Sequence, residues 1–166
     1  VLRDQLTELE KQVIQQDAAN QARRKLVSVL FADISGFTAL SENMDAEDVA
    51  NLVNRLWVRA DRIIHEYGGY IDKHIGDAVM VQFGIPLKNP NHRILAVRAA
   101  YEFSRLVYEM TKEARAKGEP VFSKRIGINT GNMVVGYIGG RTKKEYTVIG
   151  DPVNLASRLE GVNKFY

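Results

Sequence analysis

The chain has 166 residues, of which 45% are hydrophobic and 26% charged, with a formal net charge of +3. That is enough for one domain with a real core and an appendage; no apolar run is long enough to cross a bilayer, and none reads as a secretion signal. The absence of cysteine excludes disulfides, cysteine-ligated zinc and thiol nucleophiles and fits a cytoplasmic location, while basic residues interspersed among acidic ones argue against a nucleic-acid polymer as partner.

Residues 1–25 read as a helix distinct from the rest. Leu2, Leu6, Leu9 and Val13 alternate spacings of four and three, the narrow seam of a coiled coil. So short a helix does not stand alone in water, and the expected partner is the same helix of a second chain. The alternative is an amphipathic helix packed on its own domain. Gln16, Asn20 and Arg23 carry the seam on in polar residues, a place where two helices could shift and pass a signal from an upstream sensor. The chain starts on valine and is expected to be cut from something longer.

From Leu26 the pattern is that of a mixed domain spanning residues 26–166. Leu26–Ile34 reads as a strand, and Asp45 as the cap of a helix from Ala46 to about Tyr67, with Glu47 and Asp48 in its first turn. Val49, Leu52, Val53, Leu56, Ala60, Ile63 and Ile64 form its apolar face, and Gly68–Gly69 stop it. Tyr70–Ile75 and Ala78–Phe83 read as a hairpin about Gly76–Asp77. A helix from His92 to about Lys117 follows, ended by Gly118 and Pro120. Ser123–Thr130 and Met133–Tyr137 read as a second strand pair about Gly131–Asn132. Tyr146–Ile149 reads as a strand, and Gly150-Asp151-Pro152 as the start of a last helix with Asp151 as cap. The order β-α-β-β-α-β, with additions, predicts an α+β fold: a ferredoxin-like core with added strands and helix, preceded by the coiled-coil helix.

This order makes the first and third strands antiparallel neighbours, so Asp33, at the end of one, should meet Asp77, at the start of the other. Two carboxylates at one sheet edge repel unless a cation lies between them or one is protonated. Either they are unrelated turn aspartates, or they form an oxygen-ligand site for a hard divalent ion such as Mg²⁺ or Mn²⁺. The turn Ser35-Gly36-Phe37-Thr38 would offer backbone N–H groups to phosphate oxygens at that edge. On the last helix Asn154 and Arg158 are four apart and share a face; an amide and a guanidinium there suit a ribose and a phosphoryl group, or are simply a solvated face. Leu155 and Leu159 are expected to pack on another face. Lys73 either snorkels from its strand or reads a base edge.

The segments LFADISGFT, GGYIDKHIGDAVMVQFG, RIGINTGNMVVGYIG and YTVIGDPVNLASRLE, in that order, resemble the catalytic domain of class III nucleotide cyclases over about residues 26–166. The resemblance implies conversion of ATP to cyclic AMP and pyrophosphate, with two divalent ions. By motif position it implies that Asp33, Asp77 and the carbonyl of Ile34 bind metal. Lys73 and Thr147 would read adenine, as in a bacterial-type Lys/Thr subgroup often responsive to bicarbonate. Asn154 would position the ribose, Arg158 would stabilise the transition state, and Arg125 would touch phosphate. It further implies a homodimer whose active sites are shared between chains, one giving the metal aspartates and the other the base readers with Asn154 and Arg158. The family continues beyond the point where this chain stops, through a strand-rich stretch holding a triphosphate-contacting lysine. A non-catalytic dimerising module of the same fold is the competing expectation, but such members usually lose one of these residues. A guanylyl cyclase is argued against by Lys73 with Thr147. No P-loop is present.

Overall fold

The computed structural model describes residues 2–18, 21–36 and 42–165. Helix α1 (Leu2–Ala18) leads into β1 (Arg23–Ser35), α2 (Ala46–Glu66), β2 (Tyr70–Ile75), β3 (Ala78–Phe83), α3 (His92–Ala116), β4 (Ser123–Gly139), β5 (Lys144–Ile149) and α4 (Asp151–Val162), with a short 3₁₀ turn at Asn163–Phe165. The strands form one antiparallel sheet in the order β2-β3-β1-β4-β5. Its first four strands have the ferredoxin-like arrangement, with β5 added at the edge.

Alternation along β1 divides the core in two. Leu30, Ala32 and Ile34 face α2 and α3 and pack with Leu56, Ile64, Val81, Phe83 and Phe103. Val27, Val29 and Phe31 face the other way and pack with Met80, Met133, Tyr146, Val148 and Ala156 of α4. Asp33 continues this second set. Trp57 of α2 stacks on Phe103 of α3 with ring centroids 6.1 Å apart, which joins the two helices over the first face.

Four local expectations change. Ser123–Gly139 is one continuous strand rather than a hairpin, because β1 pairs with it without interruption from Arg23↔Val135 to Ser35↔Ser123. Gly131 is therefore no turn residue; a Cβ there would lie 2.7 Å from the Pro152 ring, so the glycine admits α4. The last helix begins one residue earlier, with Gly150 as cap and Asp151 in the first turn. Asp45 occupies the cap position of α2, but its side chain makes no capping bond; its carbonyl accepts from Val49 N–H at 3.1 Å. Finally, the helix at the N-terminus stops at Ala18 and Arg23 already belongs to β1, so the polar end of the seam is not helical through Arg23; Asn20 lies outside the described residues.

The long β1–β4 pair accumulates twist, and the sheet coils until its two edges meet over the second face. Tyr70 of β2 and Tyr146 of β5 lie edge to face, with centroids 5.9 Å apart.

Candidate active site

Asp33 and Asp77 lie on neighbouring strand ends at the β1–β3 edge. Asp33 stands opposite Ala78 in the register, and Ile34 N–H donates to the carbonyl of Asp77 at 3.1 Å. On its other side Asp33 faces Arg125 across β4, with a guanidinium nitrogen 4.0 Å from its carboxylate. Ser35 Oγ is bonded to Ser123 Oγ at 2.6 Å, and Gly36 turns the chain with φ of +89°, a conformation that favours glycine. Phe37 and Thr38 lie outside the described residues.

Glu160, which the sequence reading missed, joins this edge. Helix α4 lies so close to β4 that a Cβ on Gly127 would come within 2.2 Å of the Ala156 carbonyl, and this approach brings Glu160 against Asp33. Burial, and then the Asp33 charge, push the Glu160 carboxyl above its usual range, and its Oε1 is buried without a hydrogen-bond partner among the described residues. Two carboxyl groups crowded in this way either share a proton or fit a hard cation. No group of three or more acidic or imidazole side chains arranged as a metal cage occurs among the described residues. An ion held by Asp33, Asp77 and the Ile34 carbonyl would complete its shell with water and phosphate oxygens, as magnesium commonly does.

The second cluster forms where the sheet edges meet. Asp72 is the extra residue of a bulge in β2, where the register passes from Ile71↔Val81 directly to Lys73↔Met80. Met80 belongs to the second face, so the bulge turns both Asp72 and Lys73 onto it, as bulges beside functional sites commonly re-aim side chains. His74 then returns to the first face, against Trp57 at 5.0 Å. The Asp72 carboxylate is 1% exposed and accepts hydrogen bonds from Thr147 Oγ1 of β5 and Gln82 Nε2 of β3. The Lys73 ammonium lies 3.6 Å from Asp72 and 3.1 Å from Glu145. Burial raises the Asp72 carboxyl above its usual range, against the opposing pull of Thr147 and Lys73. Burial lowers the Lys73 ammonium, but Glu145 and Asp72 outweigh it and hold it above its ordinary value. Asp72 and Gln82 lie within a motif segment but were given no role, and Glu145 lies outside the motifs; the bulge that turns Asp72 beside Lys73 towards Gln82 and Thr147 is invisible in the sequence.

Asn154 and Arg158 are exposed on α4. Leu155 and Leu159, expected to pack, are instead 42% and 39% exposed and continue into Val162. The only residue α4 fully buries is Ala156, because the close approach at Gly127 leaves room for a methyl group and no more. Among the described residues, no hydrogen bond or ion pair joins Asp33 or Asp77 to Lys73, Thr147, Asn154 or Arg158. Each set stands as half of a site.

An antiparallel β2-β3-β1-β4-β5 sheet with an acidic edge pair, and a lysine–threonine cluster on a buried aspartate, defines a class III nucleotide cyclase catalytic domain. The chain belongs to the adenylate and guanylate cyclase catalytic domain family, which it matches over residues 19–164. It is 35% identical to adenylate cyclase 1 of Rhizobium meliloti, over 87% of this chain and 22% of that protein. It is 39% identical to a receptor-type guanylate cyclase of Drosophila melanogaster, over 81% of this chain and 9% of that protein. Among solved structures, the adenylyl cyclase CyaB from P. aeruginosa is similar with a TM-score of 0.80 and 40% identity, covering 86% of this chain and 74% of that one. The chain thus spans only a small part of the full-length relatives.

Proposed function

We propose that the chain is the catalytic part of an adenylyl cyclase that converts ATP to 3′,5′-cyclic AMP and pyrophosphate, working as a homodimer with two shared sites. The observation that carries this reading is the meeting of Lys73 and Thr147 on Asp72. The lysine can donate to adenine N1, and the threonine oxygen can accept from the N6 amine.

In this reaction the ribose 3′-oxygen attacks the α-phosphorus in line and pyrophosphate leaves. Two divalent ions, Mg²⁺ or Mn²⁺, held by Asp33, Asp77 and the Ile34 carbonyl, would supply charge stabilisation at the attacking and leaving oxygens. The residues of the chain itself do the rest. Lys73 and Thr147 hold the base, Asn154 orients the ribose, and the backbone at Ser35 and Gly36 together with Arg125 holds the triphosphate. Arg158 meets the charge that develops on the transferring phosphorus.

The homodimer is supported by the two half-sites, which no hydrogen bond or ion pair joins among the described residues. It is supported also by the exposed stripe Leu155, Leu159 and Val162, spaced as one helical face directly beside Asn154 and Arg158. No described helix is long and apolar enough to cross a membrane. The test is cyclic nucleotide production from ATP and from GTP by the purified chain, with Mg²⁺ or Mn²⁺. The same assay is run on a form carrying any residues that follow Tyr166 in the natural protein. Cyclic AMP lost in Arg158→Ala and Asp33→Ala supports the proposal. Cyclic GMP in its place favours a guanylyl cyclase, and silence of both forms a non-catalytic module.

A further inference from the structure

The cluster around Asp72 holds more than the two residues that would touch the base. We infer that Asp72 is a positioning residue that sets the purine preference of the site, by forcing the Thr147 hydroxyl to present an acceptor to the nucleotide. The inference rests on the cyclase reading for its substrate and on the geometry of Asp72 for everything else.

An ionised carboxylate can only accept hydrogen bonds, and a threonine hydroxyl has a single proton to give. Thr147 Oγ1 spends that proton on Asp72, so whatever else meets the oxygen must be a donor. Adenine offers an amine at purine C6 and satisfies it; guanine offers a carbonyl there, and two acceptors face each other. The carboxylate is held from three strands, by Lys73 of β2, Gln82 of β3 and Thr147 of β5. Gln82 is fully buried and Thr147 is 7% exposed, so little water is present to reverse the polarity of the hydroxyl. A site built on a fixed hydrogen-bond pattern discriminates far more strongly than one built on shape.

Asp72→Asn keeps the shape and changes the rule. With Gln82 turning its unpartnered Oε1 to the carboxamide nitrogen, that nitrogen can also donate to Thr147 Oγ1, which frees the hydroxyl proton to point at a carbonyl. The experiment measures equilibrium binding of ATP and of GTP, together with cyclic product formation, for the full chain and for Asp72→Asn, Thr147→Ser, Thr147→Val and the Asp72→Asn/Thr147→Val double variant. The expected result is that Asp72→Asn lowers the ATP-over-GTP ratio tenfold or more, while Thr147→Ser retains it. In the Thr147→Val background Asp72→Asn then shifts the ratio less than twofold, since the hydroxyl it acts through is gone. An unchanged ratio in Asp72→Asn, or an equal change in both backgrounds, overturns the inference, as does a chain that binds neither purine or prefers GTP. Selective ATP binding without any cyclic product defeats the cyclase reading alone, and the binding ratios still decide the role of Asp72.

Discussion

The backbone N–H of Ile34 donates to the carbonyl of Asp77 at 3.1 Å, and this bond ties together two strand ends that each carry an acidic side chain. Because the tie is made by backbone, it persists when either side chain is replaced. Asp33→Asn and Asp77→Asn are therefore expected to fold. Losing a partner that merely orients a metal ligand costs about 10–100-fold; losing a ligand is expected to lower cyclic nucleotide formation by at least about 100-fold. Added Mg²⁺ should raise the midpoint of the native chain and leave that of Asp33→Asn unmoved. Differential scanning calorimetry with and without the ion reads the midpoints, and a cyclic nucleotide assay reads the activity.

Helix α4 reaches Asp33 only because β4 carries glycine beneath it. A methyl group on Gly127 would collide with the Ala156 carbonyl and the Glu160 nitrogen at 2.2 and 2.3 Å, both of them backbone that cannot rotate away. Gly127→Ala is expected to push α4 off the sheet at a cost of about 1–3 kcal/mol. For a chain of this length that is a drop of several degrees in Tm. Activity should fall further than stability does, since Asn154 and Arg158 ride on the displaced helix. Gly161→Ala, where a Cβ meets nothing within 4 Å, is the matched control: it should leave activity unchanged and raise the Tm slightly, as alanine does in a helix.

His92 gives the fold a dependence on pH. It is 8% exposed, and its Nδ1 lies 2.7 Å from Ser28 Oγ. Burial, and then the charge of Arg93, hold its pKa below the ordinary 6.5. The unfolded chain then binds a proton in a range where the folded chain does not, so the contribution of His92 to stability is complete above pH 6.5 and declines as the pH falls from there towards the lowered value. Between those limits the native chain should lose Tm more steeply than His92→Gln does. Parallel Tm profiles for the two proteins below pH 6.5 would exclude this role.

Much of this architecture was legible in the sequence, and the illegible parts have physical reasons. Helical periodicity placed α2 and α3 within one residue, since Leu56, Ala60 and Ile64 repeat as one buried face. Asp33 and Asp77 were found because strand order alone forces their meeting. Gly131 misled, because a glycine that admits a neighbouring helix looks the same in sequence as one that turns the chain. Leu155 and Leu159 misled because helical spacing reveals an apolar stripe but not whether this chain or another covers it. Asp72 and Glu160 were missed because each acts through a geometric accident of the fold: a one-residue bulge, and a helix pressed onto glycine.

Helix α1 presents two faces, and the last prediction separates them. Asp17 is 7% exposed; it pairs with Arg23 at 2.5 Å and accepts from Tyr146 Oη at 3.2 Å. Ile14 packs on the second-face core, and burial raises the Glu10 carboxyl above its usual range. These residues, spaced four and three apart, dock α1 on its own domain. Leu9 and Val13 each precede one of them by a single position, which is about 100° around the helix, and Leu9 is 49% exposed. The helix thus packs on its own domain through Glu10, Ile14 and Asp17, which is the alternative expectation, and of the seam residues beside them Leu9 is exposed. Leu9→Glu should weaken self-association at least tenfold in sedimentation equilibrium and leave the Tm of the monomer unchanged. Asp17→Ala should do the reverse, releasing α1 from the sheet. With Arg23 half exposed, the loss should be about 1–2 kcal/mol, well under the cost of breaking a fully buried pair. If Leu9→Glu associates as tightly as the native chain, the seam is not what joins two copies, and the exposed stripe on α4 has to carry that contact alone.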